Sequence, residues 1–228
     1  DGSTICSYVH APADNLIGDG AHTVAAADVV AGGHEEICVV TVDGASPFHQ
    51  ARLEILDVVS GELQLLDSED LPECNTNVLR EWVASADLTP DASDETVVFF
   101  SWKDTEGRHS GLWLYDYDDV AGSGQFIDEV VWDDPLTAIL VCVPALGDLL
   151  ADGMDVALSR CYSTSGHDPA FIVDGSDFSS YTSCQRSERD AGNILCCIMA
   201  DWDPLVTGLD RVIAPAENQC FCWRPNGL

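Results

Sequence analysis

Three histidines, His49, His109 and His167, recur at nearly constant spacing along the chain. Neutral imidazole suits zinc, copper, iron and manganese, so three such rings brought to one point would form a transition-metal centre. The alternative is that each ring holds its own loop by a hydrogen bond. Geometry favours that alternative, because a metal needs every donor within about 2.0–2.2 Å of one point. Asp28, Asp87 and Asp201 form a second series, in Ala27-Asp28-Val29, Ala86-Asp87-Leu88 and Ala200-Asp201-Trp202. Converging carboxylates could hold calcium, which takes about 6–8 oxygens; turn formation by Asp bonding its own backbone is the competing role. At the matching place in a third segment stands Val143-Pro144-Ala145, which breaks a four-fold ring.

Other candidates carry weaker chemistry. Asp57, Asp116 and Asp174 read as turn formers, since Ser60-Gly61 and Gly175-Ser176 complete such turns. Asp116-Tyr-Asp-Asp119 and Asp152-Gly-Met-Asp155 read as solvated acidic loops without the spacing of an EF-hand. His34-Glu35-Glu36 resembles a fragment of a metal motif, but no second His follows at helical spacing. No nucleophile elbow, His-Glu-x-x-His helix, phosphate loop or dinucleotide fingerprint occurs. No catalytic residue is assigned, and a non-enzymatic role is the expectation.

These residues are positioned by a repeat. The first unit reads Ile37 to Val42, a polar loop to His49, then Arg52 to Asp57; the second reads Val97 to Trp102, a loop to His109, then Leu112 to Asp116. The third, weaker, reads Val156 to Cys161, a loop to His167, then Ala170 to Asp174. Preceding strands are expected at Thr23–Ala27, Trp82–Ala86, Thr137–Val143 and Ile194–Ala200, and following strands at Glu62–Leu66, Gln125–Trp132 and Tyr181–Gln185. All are short, β-branched or aromatic, and bounded by Gly, Pro, Asp and Ser. No stretch carries a sustained helical period, so the chain is expected to be all-β.

Four antiparallel strands in about 59 residues match the size of a propeller blade. The 228 residues then divide into blades at 21–66, 78–132, 137–185 and 194–228. The fourth lacks one strand, which Thr4–Val9 would supply, making residues 1–228 a single domain. Cys6 would then lie beside Cys220 or Cys222, and a disulfide there would close the ring, worth roughly 2–4 kcal/mol. Leu56-Asp-Val-Val-Ser-Gly61, Leu88-Thr-Pro-Asp91 and Leu112-Trp-Leu-Tyr-Asp116 resemble blades of the broad β-propeller class, closest to TolB-like and quinoprotein-like repeats. That resemblance implies an architecture and names no activity. A β-sandwich, or part of a larger propeller made by two chains, would use the same strands.

Composition bounds the partners. Forty acids face nine Lys plus Arg, giving a net charge of −31, and Lys103 is the only lysine. Such a surface repels phosphate backbones and anionic lipids, and suits high salt, where screening makes dense carboxylates tolerable. No apolar run approaches the ~20 residues of a membrane helix. Ten cysteines without a Cys-x-x-C pair, no initiator Met and a start at Asp1 fit a secreted, processed chain with disulfides. The expectation is an extracellular or cell-surface propeller that binds a protein partner or copies of itself, with Trp82, Trp113, Trp132 and Trp223 as candidate anchors. The rivals are a metal-dependent hydrolase or lyase using the histidine face, and a calcium-stabilised carbohydrate- or protein-binding module.

Overall fold

The computed structural model describes residues 24–32, 34–43, 50–71, 77–89, 93–103, 105–134, 145–147, 155–159, 170–175, 177–184, 198–200, 211–216 and 219–223. The chain is all-β: these residues form fifteen strands and no helix. The first sheet is β1 (Val24–Ala27), β2 (Glu36–Asp43), β3 (Gln50–Val59) and β4 (Glu62–Asp70). The second is β5 (Asn77–Ala86), β6 (Glu95–Lys103), β7 (Arg108–Asp118) and β8 (Ser123–Asp134). The third is β9 (Ala145–Gly147), β10 (Asp155–Ser159), β11 (Ala170–Asp174) and β12 (Asp177–Cys184), and the fourth is β13 (Ile198–Ala200), β14 (Arg211–Ala216) and β15 (Gln219–Trp223). Each sheet is an antiparallel meander in chain order. First strands adjoin first strands, β1 to β5 to β9 to β13, while fourth strands adjoin fourth strands, β4 to β8 to β12.

Alternation explains which faces meet. Cys38 and Val40 on β2, and Ala51, Leu53 and Ile55 on β3, are fully buried on one face of the first sheet. They pack on Val98, Phe100 and Trp102 of β6 and on Trp113 and Tyr115 of β7. Val97, Phe99, Leu112 and Leu114 alternate with those residues and are buried as well. The second sheet is thus covered on both faces, which is why Val97 to Trp102 is an unbroken apolar run, Ser101 aside. Trp113 is 1% exposed, and its indole donates to Glu129 Oε2 at 2.8 Å, so it fills the core rather than anchoring a partner.

A repeated carboxylate ties neighbouring sheets at the outer strands. Register shifts fall between Ile55 and Leu56 in the first sheet and between Leu114 and Tyr115 in the second. These bulges stand beside Asp67 and Asp128, which pair with Ile55 and Leu114. Asp67 Oδ2 accepts from the Gly124 amide at 2.7 Å and from the Tyr115 hydroxyl at 2.6 Å, both in the second sheet. Asp128 Oδ2 accepts from the Phe178 amide of the third sheet at 2.8 Å. Gly124 and Phe178 are each the second residue of a fourth strand, so one device recurs. Thr182 stands at the corresponding register of β12.

Three expectations are revised. The strand that pairs with β10 in the third sheet is Ala145–Gly147, whereas the apolar run Thr137–Val143 lies outside the described residues. Its register aligns Gly147 with Ala27 and Ala86, opposite Asp155, Glu36 and Glu95. The residue after Gly147 is Asp148, so all four repeats carry a small residue followed by Asp, and Val143-Pro144-Ala145 is not the equivalent triplet. His109 belongs to β7 rather than to a loop, because pairing continues to Lys103 and Arg108. Finally, Cys38 is a free buried thiol. It packs 3.4 Å from Thr96 Oγ1 and 3.9 Å from Ser85 Oγ of the second sheet, and burial pushes its pKa up. One of the ten cysteines is therefore unpaired in this structure.

Candidate functional site

The end of each sheet that carries the β1–β2 and β3–β4 connections concentrates acids by register. One ladder step beyond the Ile37–Leu56 pair, Glu36 faces Asp57; one step beyond Thr96–Tyr115, Glu95 faces Asp116. In the third sheet Asp155 pairs with Asp174, and in the fourth Arg211 holds the position opposite Ala200. Like charges directly opposite one another are unfavourable unless something compensates them. Each of the first three sheets must therefore deal with this pair.

The second sheet does so with local donors. Glu95, completely buried, accepts at Oε2 from the amides of Leu88 (2.7 Å) and Thr89 (2.9 Å), and at Oε1 from the Thr89 hydroxyl (2.6 Å). Both oxygens are engaged, and the chain after β5 is folded back on the start of β6. The role is structural.

The first sheet has the same carboxylate but fewer donors. Glu36, 2% exposed, accepts from the Val30 amide at Oε2, 3.0 Å. Val30 occupies the place of Thr89 and has no hydroxyl, so the bond that engages Glu95 Oε1 has no counterpart here. Instead His34 approaches from the β1–β2 connection, its Nε2 3.0 Å from Asp57 Oδ1. The His34 side chain is 65% exposed and Asp57 14%. One donor atom from each of His34, Glu36 and Asp57 lies within 4.8 Å of the others, the only such convergence of three His, Cys, Asp or Glu groups among the described residues. Burial raises the Glu36 pKa above its ordinary 4.5, and the charges of Asp57 and Asp28 add to this; the Val30 amide and His34 pull the other way.

A cleft of about 530 Å³ is lined by Ala31 and Ser93 from two strand connections and by the β7–β8 hairpin. Asp116, Asp118 and Asp119 supply its charge, Tyr117 its aromatic surface, and no Lys or Arg lines it. The hairpin is shaped by Asp118, whose Oδ1 accepts from the amides of Val120 (2.8 Å) and Ala121 (3.0 Å). Gly122 closes it with a φ of 70°. At the other hairpin, Ser60 (φ 56°) and Gly61 (φ 85°) make the two-residue turn whose twist matches paired strands.

Of the residues singled out by sequence, His109 stacks on Trp102 with ring centroids 5.2 Å apart; His49 and His167 lie outside the described residues. Asp28 joins its sheet to the next: its amide donates to Asp94 Oδ2 (3.2 Å) and its carbonyl accepts from the Asp94 amide (2.8 Å). Asp87 is exposed and Asp201 is outside the described residues. Neither Asp28, Asp87 nor His109 belongs to the converging trio. Cys6 also lies outside the described residues, while Cys220 and Cys222 are paired with Pro215 and Ile213 in the fourth sheet. Asp57 and Asp116, read as turn formers, are strand residues, and both sit at the acidic end. The signal that could have found them is the repeat itself: Glu36 to Glu95 and Asp57 to Asp116 are each exactly one repeat apart.

Comparison with known proteins finds no matching family model and no curated protein of significant similarity.

Proposed function

We propose that this chain is a four-bladed β-propeller that acts outside the cell as a binding module for a cationic segment of a protein partner. What supports the ring is the serial contact of inner with inner and outer with outer strands across four meanders. The fourth sheet has three strands among the described residues, which leaves its outer side for the Thr4–Val9 segment. Disulfide mapping of the native protein tests that closure: a Cys6 peptide linked to Cys220 or Cys222 is the expected product.

The acidic cleft carries the binding reading. A volume of about 530 Å³ suits one or two long side chains rather than a nucleic acid or a lipid surface. Asp116, Asp118 and Asp119 would pair with Lys or Arg, while Tyr117 covers the alkyl stem. The surrounding charge of −31 would steer such a partner and repel a second copy at low salt. Calorimetry with a Lys/Arg-rich peptide is the test. Affinity should fall with added salt and drop at least fivefold in Asp116→Asn/Asp119→Asn. Equal affinity for an uncharged peptide, or association of the chain with itself at low salt, would count against the reading.

A further inference from the structure

We propose that His34, Glu36 and Asp57 bind one divalent cation of the zinc class. The site lies at the acidic end of the first sheet and is separate from the three histidines that recur along the chain. Two carboxylates supply two negative charges, and imidazole nitrogen directs selectivity towards zinc and its neighbours rather than calcium, which prefers oxygen donors alone. Three protein ligands leave a fourth position for water or a partner's group.

The observations are geometric. Donor atoms of the three residues lie within 4.8 Å of one another, and a tetrahedral ion with bonds of about 2.0–2.2 Å holds its donors a little over 3 Å apart. The 3.0 Å separation of His34 Nε2 and Asp57 Oδ1 is already close to that. Glu36 is oriented by the Val30 amide on Oε2, so its Oε1 is the oxygen left for the metal. His34, on an exposed connection, is the residue that can move to close the site.

The comparison with the second sheet is the independent support. Its equivalent glutamate, Glu95, has both oxygens engaged by local donors from Leu88 and Thr89. Ser93 stands one repeat after His34, where a second copy of the site would need its imidazole. The first sheet carries Val30 in place of the hydroxyl-bearing Thr and an imidazole at the same end. A missing local donor and an added metal ligand thus coincide at one carboxylate.

Zinc titration of the chelator-treated full chain, followed by calorimetry and by competition with a chromophoric chelator, tests this. One zinc per chain is expected, weakened at least tenfold in His34→Ala and in Asp57→Asn. Glu106→Gln, an exposed charge change in the β6–β7 connection, should bind as wild type. His34 is exposed, so its variant should retain the wild-type far-ultraviolet spectrum. Cobalt substitution should give a spectrum without an intense thiolate charge-transfer band. Zinc affinity unchanged in His34→Ala, a thiolate band, or no saturable binding in the millimolar range would each overturn the proposal.

Discussion

The first and second sheets place a glutamate and an aspartate at the same paired register and resolve their repulsion differently. In the second sheet, Glu95 is buried under three donors from Leu88 and Thr89, and Asp116 lines the cleft. In the first, Glu36 receives one amide, and Asp57 takes the His34 ring. One repeat position thus serves as a structural lock in one sheet and as a candidate ligand set in the other. Burial with full hydrogen bonding fixes a carboxylate in place; burial with an open oxygen leaves it available.

Five substitutions probe these carboxylates and their surroundings, the most damaging first. Glu95→Ala should be the most damaging, by about 3–5 kcal/mol, since it orphans two amides and a hydroxyl in the core. Glu36→Ala should cost only about 1–2 kcal/mol for its single charged bond. Urea unfolding of the two variants measures the difference, and equal losses would erase the distinction between the sheets. Gly124→Ala comes next, at about 1–3 kcal/mol, because its Cβ would lie 2.2 Å from the Tyr115 hydroxyl. The Tyr115 phenol, whose pKa is raised by burial and by its bond to Asp67, should then titrate closer to a free tyrosine in an alkaline absorbance scan.

Val30→Thr converts the first sheet towards the second. It should add about 0.5–1.5 kcal/mol by giving Glu36 Oε1 a hydroxyl, and it should weaken zinc binding at the same time. A gain in stability without a loss of zinc affinity would separate the two roles. The smallest effect concerns pH. The folded-state pKa of Glu36 is raised, so its favourable contribution is complete below the ordinary value of 4.5 and is lost as pH rises through the raised value. The melting temperature of Glu36→Gln relative to wild type should therefore increase between pH 4 and pH 7. A gap that shrinks over that range would show that Glu36 is stabilised as a carboxylate.

Much of the fold is legible along the chain because a half-buried strand writes its face into every second residue. Cys38 and Val40, or Leu53 and Ile55, announce the core directly. The third repeat is less plainly written: the apolar run Thr137–Val143 lies outside the described residues, and the described pairing partner of β10 is the short Ala145–Gly147. Register depends on the neighbouring strand, which local hydrophobicity does not encode. His109 reads as a loop residue because the polar residues before it look like a loop; its stacking on Trp102 is a cross-strand contact invisible in linear order.

The candidate site shows the same division. Its residues can be named as types, and His34-Glu35-Glu36 even stands out, but a helical motif would place the missing third ligand nearby along the chain. Asp57 reaches Glu36 instead by antiparallel pairing of β2 with β3. The all-β class, the repeat, the acidity and most strand positions follow from local periodicity and composition, and the linear chain carries them in full. Which acids face each other, which carboxylate is satisfied and which keeps an open oxygen emerge only when the sheets form and pack. Those outcomes depend on where hydrogen-bond donors from other segments arrive, and local sequence does not specify that in advance.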